Sequence, residues 1–432
     1  MKYALVTFGC RVNQADSLEI EGALRARGGV PAAPAQADLV VVNTCSVTAT
    51  ADQGARQVVR KIARENPGAQ IVVTGCYATR RPHELGDLPG VVAVVPNDHK
   101  DGLVDSLPWP TTTASRDAGG DGPCGARLTP GVAGRTAFTL RVQTGCDEHC
   151  SYCIIPSTRG VGRSRPFDWV LRAVDEAVAA GYKEIALCGV HLGSYGRDLP
   201  DGSSLADLVR RLSQWPAEVL FRISSLEPMD FTPELLEIAA TSARIAPHFH
   251  LPLQHADDAM LRAMRRPYTA AAYERLVGEI ATSMPDACIG TDVIAGFPGE
   301  TDAQADALAE GLVRLPLSYV HVFPYSDRPG TEASGMDGKV DGGAIRARGA
   351  RLRAIGSAHA ERFRAAQVGR VRRALVVDDG TSVVTDNYLK LALDEPRTRN
   401  EWVDVRVEGP HQGRVVDKAQ GSRPKAECPV GP

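Results

Sequence analysis

The segment Phe138-Thr-Leu-Arg-Val-Gln-Thr-Gly-Cys146-Asp-Glu-His-Cys150-Ser-Tyr-Cys153 places three cysteines within eight residues, directly after an apolar, strand-like run. Three thiolates at this spacing can each hold one iron of a four-iron cluster and leave the fourth iron open. An open iron can chelate the amine and carboxylate of a bound ligand, and thiolates suit iron–sulfur clusters. Zinc is the competing reading: it would need a fourth ligand, and His149 is at hand.

Downstream, apolar runs alternate with helical patterns. Strands are expected at Phe138–Val142, Glu184–Leu187, Leu220–Ile223, Phe249–Leu253, Ile289–Ile294 and Tyr319–Phe323. Six strand–helix units over this length predict a partial (βα)6 barrel, since a complete eight-stranded barrel needs roughly 250 residues. A helix with its exit follows over 341–373. It carries arginines at 346, 348, 351, 353, 362, 364, 370, 372 and 373 against only Asp341 and Glu361. That surplus predicts contact with phosphate. From Val371 the pattern turns to short strands such as Arg373–Val377 and Trp402–Val407, as in a small β-barrel; 419–432 reads as a disordered tail.

Upstream, 105–135 is rich in Pro, Gly, Thr and Asp and reads as a linker. Residues 1–104 predict a doubly wound parallel sheet. Its strands are Tyr3–Phe8, Asp38–Val42, Ile71–Thr74 and Val91–Val95, with helices over Asp16–Arg27 and near Asp52–Glu65. Cys10, Cys45 and Cys76 each fall just past the carboxyl end of one of these strands. In a doubly wound sheet those loops share one edge, where ligands bind. Three cysteines far apart in sequence are therefore expected to converge on a second cluster with an open iron, Gly9 and Gly75 letting the backbone come close. The plainer alternative is three unrelated buried cysteines.

Of the ten cysteines, four are unpatterned. Cys124 lies in the linker and Cys428 in the tail. Cys188 and Cys288 sit in apolar strands and read as core. His191, His250 and His255, near strand ends, read as structural. A net charge of -3 gives no global case for nucleic-acid binding, so any basic surface is local. No apolar run has membrane-spanning length, and Met1–Val6 enters a strand without signal-peptide features. A cytoplasmic protein with no membrane association is expected.

The C-x3-C-x2-C spacing, with Tyr152 before the last cysteine, resembles the signature of the radical S-adenosylmethionine superfamily. Over residues 1–416 the chain resembles the methylthiotransferases, which replace C–H with C–S–CH3. Within them it is most similar to those acting on threonylcarbamoyladenosine at position 37 of tRNA. The matching stretches are Gly9-Cys10-Arg11-Val12-Asn13-Gln14, Gly189-Val-His-Leu-Gly-Ser-Tyr-Gly196, Arg222-Ile-Ser-Ser-Leu-Glu-Pro228, Leu251-Pro-Leu-Gln254 and Met264-Arg-Arg-Pro-Tyr-Thr269. Arg11-Val12-Asn13 differs from the Gln-Met-Asn of the isopentenyladenosine branch and from the Pro-Lys-Asn of the ribosomal-protein branch. After Gln254, related chains often read Ser-Gly; here His255-Ala256 stands.

The resemblance implies an order of domains. A methylthiotransferase domain with an auxiliary cluster (1–104) and the linker (105–135) come first. The radical domain (136–340), a basic connecting helix (341–370), a TRAM-like RNA-binding barrel (371–418) and the tail (419–432) follow. It implies two [4Fe-4S] clusters. That on Cys146, Cys150 and Cys153 would cleave S-adenosylmethionine; that on Cys10, Cys45 and Cys76 would carry the sulfur. Tyr152, Gly189, Ser225, Glu227, Asp292, Gly296 and Val322 are the expected S-adenosylmethionine-pocket residues. Implied partners are the anticodon stem-loop of tRNA, an electron donor such as flavodoxin or ferredoxin, and a sulfur donor; a monomer is expected. A rival of another class is a non-catalytic iron–sulfur RNA-binding sensor. Open iron positions argue against it, because an electron carrier typically has four cysteines per cluster.

Overall fold

The structure, a computed structural model, describes residues 1–107 and 136–416. Cys124, Cys428, most of the linker and the tail lie outside the described residues.

The first unit is a five-stranded parallel sheet of β1 (Lys2–Thr7), β2 (Val30–Pro31), β3 (Leu39–Thr44), β4 (Gln70–Gly75) and β5 (Val91–Val95), ordered β2-β1-β3-β4-β5. The two-residue strand β2 was not expected. Alternation within each strand sends Tyr3, Leu39 and Val41 to one face, where Ile20 and Leu24 of helix Arg11–Ala26 cover them. Ala4, Val40 and Val42 go to the other, beneath Ala55, Val59 and Ile62 of helix Ala49–Glu65. The sheet is therefore doubly wound, with its strand order reversing between β1 and β3. Helix Arg11–Ala26 begins directly at Cys10, earlier than the Asp16 start expected.

The second unit holds β6 (Phe138–Arg141), the short antiparallel pair β7 (Gln143–Thr144) and β8 (Arg163–Ser164), then β9 (Glu184–Cys188), β10 (Leu220–Ile223), β11 (His248–His250), β12 (Cys288–Ala295) and β13 (Tyr319–Pro324). Strands β6, β9 and β10 form one parallel sheet and β11, β12 and β13 another. Parallel bridges Phe221–Ile245 and Ser225–His250 join them into an open six-stranded barrel. Strand β11 is shorter than the expected 249–253. Beyond His250 the chain passes Pro252 and then Gln254 at φ 66, outside strand geometry. Outward residues such as Leu187, Phe221, Phe249 and Ile289 pack under the helices.

Helix Gly342–Gln367 runs along β13 and leads to β14 (Val371–Val377), β15 (Ser382–Thr385), β16 (Lys390–Leu393), β17 (Trp402–Gly409) and β18 (Gln412–Val416). These close a barrel in the order β14-β15-β16-β18-β17 around Val376, Val383, Leu391 and Val405. Much of the arginine surplus here is spent within the protein. Arg348 pairs with Glu300 and Asp302, Arg351 with Asp306, Arg370 and Arg372 with Asp286, and Arg373 with Glu218. The free basic face is smaller than the sequence alone suggested.

Candidate active site

Both cysteine triads fold as triads. In the first unit, polar side chains staple the three cysteine-bearing loops to one another. Asn13 Nδ2 donates to the carbonyls of Phe8 and Thr44, both at 2.9 Å. Thr44 Oγ1 donates to the Thr74 carbonyl at 2.6 Å and accepts from the Ala78 amide. Gly9 lies at φ +88, and a Cβ there would stand 2.5 Å from Cys45 Sγ. Gly75, at φ +99, would collide with Thr44 backbone at 2.2 Å. Cys45 and Cys76 are buried; Cys10 is exposed to the cavity described below. Burial, with Cys10 and Cys76 close by, pushes the Cys45 thiol up to about 11.

The second triad occupies the loop after β7. Ser151 pins it, giving Oγ to the Ala263 carbonyl at 2.7 Å and accepting the Ala333 amide at 2.8 Å. Gly145 turns the chain at φ +74, where a Cβ would meet the Val161 carbonyl at 1.8 Å. Burial and the two neighbouring thiols push Cys153 up to about 12, and burial raises Cys150 as well. Left bare, such thiols hold their protons, whereas a coordinating metal removes them. Two sets of three converging thiols, each beside a glycine with no room for a side chain, fit iron–sulfur clusters.

Two polar side chains touch the second triad. Arg266, almost fully buried, donates Nη1 to Cys150 Sγ at 3.2 Å and pairs through Nη2 with Glu227. His191 Nδ1 lies 3.9 Å from Cys146 Sγ, and Nε2 lies 2.6 Å from Asp230 Oδ2. Burial would depress this imidazole, but its bonds to Asp230 and Cys146 prevail and raise it to about 10. His191 is thus more than the structural residue expected.

A cavity of about 840 Å³ fills the barrel interior. Cys10 and Arg11 line one side, Gly189, Ser225, His250 and His321 the barrel, and Tyr388 and Lys390 the terminal domain. Asp292 joins two of these groups: His250 Nε2 and His321 Nδ1 lie 2.9 and 3.2 Å from its Oδ1. His250 Nδ1 also lies 3.0 Å from Ser225 Oγ. Cys188 and Cys288 are buried, as expected; strand alternation turns both inward, where Cys188 packs with Val12 and Ala15 and both stand in the cavity wall.

The remaining expected pocket residues divide. Tyr152 packs with Met260, Met264, Ile294 and Phe297 at the barrel mouth. Gly296, at φ +79, is required by packing, since a Cβ would lie 2.3 Å from Ile345 Cγ1. Val322 does not reach the cavity: its side chain packs on the sheet–helix core, and alternation presents His321 instead. His255 is buried against Glu300 at 3.3 Å and accepts the Asp257 amide, so it braces the turn after β12.

Two family models match parts of the chain. The family described as Uncharacterized protein family UPF0004 matches residues 2–96, and the Radical SAM superfamily matches 140–312. The threonylcarbamoyladenosine tRNA methylthiotransferase MtaB of Aquifex aeolicus is 35% identical over 94% of this chain and 100% of its own. The chain belongs to the radical S-adenosylmethionine methylthiotransferase family. Its cofactors are those of the family, S-adenosylmethionine and two [4Fe-4S] clusters. A tRNA-2-methylthio-N(6)-dimethylallyladenosine synthase of Parafrankia sp. is also 35% identical, over 95% of this chain and 84% of its own. Identity alone therefore does not separate the branches of this family. The radical S-adenosylmethionine methyltransferase TsrM of Kitasatospora setae shares the fold, with TM-score 0.54 and 16% identity over 77% of this chain and 76% of that one. Among the described residues no helix is long and apolar enough to cross a membrane.

Proposed function

We propose that this methylthiotransferase acts on N6-threonylcarbamoyladenosine beside the tRNA anticodon and installs a 2-methylthio group. The observation that carries this reading is the shared cavity. Cys10 of the first triad opens into the barrel interior beside Gly189 and Ser225 of the barrel and Tyr388 of the terminal domain, and this space takes a purine with a large N6 substituent. Arg11, Ser225, His250 and His321 put donors and acceptors on its wall. A threonylcarbamoyl group can pair with them. An isopentenyl group offers Arg11 no partner, whereas Ser225, His250 and His321 are already bonded to one another or to Asp292; the discrimination therefore falls on Arg11.

In this reading Cys146, Cys150 and Cys153 hold one cluster and Cys10, Cys45 and Cys76 the other. When bound, the two clusters and S-adenosylmethionine supply one-electron cleavage to a carbon radical and the sulfur to be inserted. The chain's own side chains orient and shield. Arg266 neutralises charge at Cys150 and fixes Glu227 at the mouth. His191 sits beside Cys146, clamped by Asp230. Tyr152 and its methionine neighbours close the mouth to water. The terminal barrel acts as a TRAM-like RNA-binding module for the anticodon stem-loop, and an external reductant and sulfur donor complete the cycle.

Nucleoside mass spectrometry tests the assignment. Reconstituted enzyme, S-adenosylmethionine, reductant and sulfide are mixed with tRNA carrying either threonylcarbamoyl- or isopentenyl-adenosine. Methylthio product only on the former is expected. Product only on the latter, or on neither while S-adenosylmethionine is still cleaved, overturns the substrate and leaves the chemistry.

A further inference from the structure

Arg11 follows Cys10 directly and lines the cavity, half-buried, with no carboxylate partner among the described residues. The other cations nearby are largely spent. Arg159 is paired with Asp16, Lys390 with Asp378, and Arg222 with Glu184; Arg364 has no carboxylate partner among the described residues but gives Nη1 to the Pro410 carbonyl at an exposed site. His248 adds no charge, since burial and the nearby Arg222 and Arg11 hold its imidazole well below the usual range. A guanidinium set into a wall without a counter-charge is costly unless an anion arrives to meet it.

The side chain that holds Arg11 comes from the terminal barrel. Between β15 and β16 the chain turns through Tyr388 at φ 71 and inserts its ring into the barrel interior. That ring stacks on His248 with centroids 4.2 Å apart and lies over the Arg222 guanidinium at 4.9 Å. Arg222 in turn donates to the Asp386 carbonyl at 3.2 Å. Arg11 Nη2 donates to the Tyr388 hydroxyl at 3.1 Å, and the guanidinium stands 5.9 Å from the ring centroid. One donor edge is thereby fixed while the remaining N–H groups are left for a ligand.

We infer that Arg11 is the receptor for the carboxylate of an anionic N6 substituent on the target adenosine, with Tyr388 as its positioning residue. This rests on the threonylcarbamoyl reading above and deepens it, because that group carries one carboxylate and an isopentenyl group none. A planar guanidinium is suited to a carboxylate, and a charge-assisted pair is roughly twice as strong as a neutral hydrogen bond. The specificity of the radical domain is then set jointly by the first and last domains of the chain.

The test uses cluster-loaded enzyme and three synthetic anticodon stem-loops, read by equilibrium binding. They carry threonylcarbamoyladenosine, its threonine-amide analogue, or unsubstituted adenosine. The wild-type protein is expected to prefer the carboxylate over the amide by about tenfold or more, Arg11→Met to bring that ratio near unity, and Tyr388→Phe to reduce it about threefold. A full ratio retained in Arg11→Met overturns the inference and spares the substrate reading. A wild-type protein that prefers the carboxylate while Arg11→Met changes only the visible absorbance of the clusters also overturns it, assigning Arg11 to charge balance at Cys10. A wild-type protein that binds all three RNAs alike sinks the substrate reading itself. Should Arg11→Met fail to fold, Tyr388→Phe and the amide RNA still decide.

Discussion

Asp16 and Arg159 meet at 2.9 Å, with 0% and 2% of their side chains exposed, and their pairing ties the helix that follows Cys10 to the helix that follows Cys153. Lys100 and Arg141 reach the same carboxylate at 2.8 and 3.0 Å. Arg159 also contacts Asn13, the residue that staples the Cys10 and Cys45 loops. The spacing between the two triads therefore depends on one buried anion shared among three cations.

Asp16→Asn should cost about 3–5 kcal/mol, because it leaves buried cations short of their counter-charge. Chemical denaturation measures the loss. Methylthio product should fall well before S-adenosylmethionine cleavage does, since cleavage needs only the second unit.

The same carboxyl gives a pH dependence. Burial alone would raise it, but Lys100, Arg159 and Arg141 overcome that and hold it far below the usual carboxylate range. A depressed carboxyl stabilises fully above its unfolded pKa, about 3.9, and its contribution is lost as pH falls through the folded value. Urea midpoints of the wild type should drop below about pH 4 more steeply than those of Asp16→Asn. Equal slopes would show that Asp16 carries no such linkage.

Gly145→Ala and Gly75→Ala should each disrupt one triad and spare the other. Each adds a Cβ at a left-handed φ, worth about 1–2 kcal/mol of strain, and each Cβ would strike backbone. Iron analysis after reconstitution should give about half the wild-type content in either variant, and near-wild-type content would contradict the cradle described for that glycine.

Cys146→Ala should abolish S-adenosylmethionine cleavage. Cys10→Ala should preserve cleavage and stop sulfur insertion. Full methylthio product from Cys10→Ala would end the two-cluster reading.

Arg266→Gln removes both the contact to Cys150 and the partner of Glu227. S-adenosylmethionine cleavage should fall about tenfold or more, as for loss of a charged group at a reacting centre. Glu227→Gln, which leaves the arginine in place, should cost less. A variant pair with the reverse order would put the main role on Glu227.

Much of this was legible in the sequence, for local reasons. Cys146, Cys150 and Cys153 declare themselves by spacing. Cys10, Cys45 and Cys76 are readable because each ends one strand–helix unit of a sheet whose topology fixes where strand ends meet. The rest depends on partners far apart. Asp16 and Arg159 are 143 residues from each other, and Arg11 and Tyr388 are 377. A single charged residue has no periodicity to reveal its partner. Arg11 and Arg266 stood inside recognisable motifs without an evident role, and Tyr388 stood in none. The phase of β13 is not legible because the strand is apolar on both sides of His321, so that the sequence does not tell that Val322 packs on the core while His321 faces the cavity. Cys188 and Cys288 are legible as buried, but not the face they take, because a barrel strand is apolar on its inner face as well as its outer one.

The insertion of Tyr388 also orders events during synthesis. All six cysteines of the two triads have emerged by residue 153, while the ring that meets Arg11 arrives only at residue 388. Domains fold largely in the order in which they leave the ribosome. The nascent enzyme thus passes through a stage in which both triads are formed and the chamber still lacks its terminal wall. That stage is the widest opportunity for loading iron and sulfide, and the arrival of the terminal barrel, β14 to β18, sets its end.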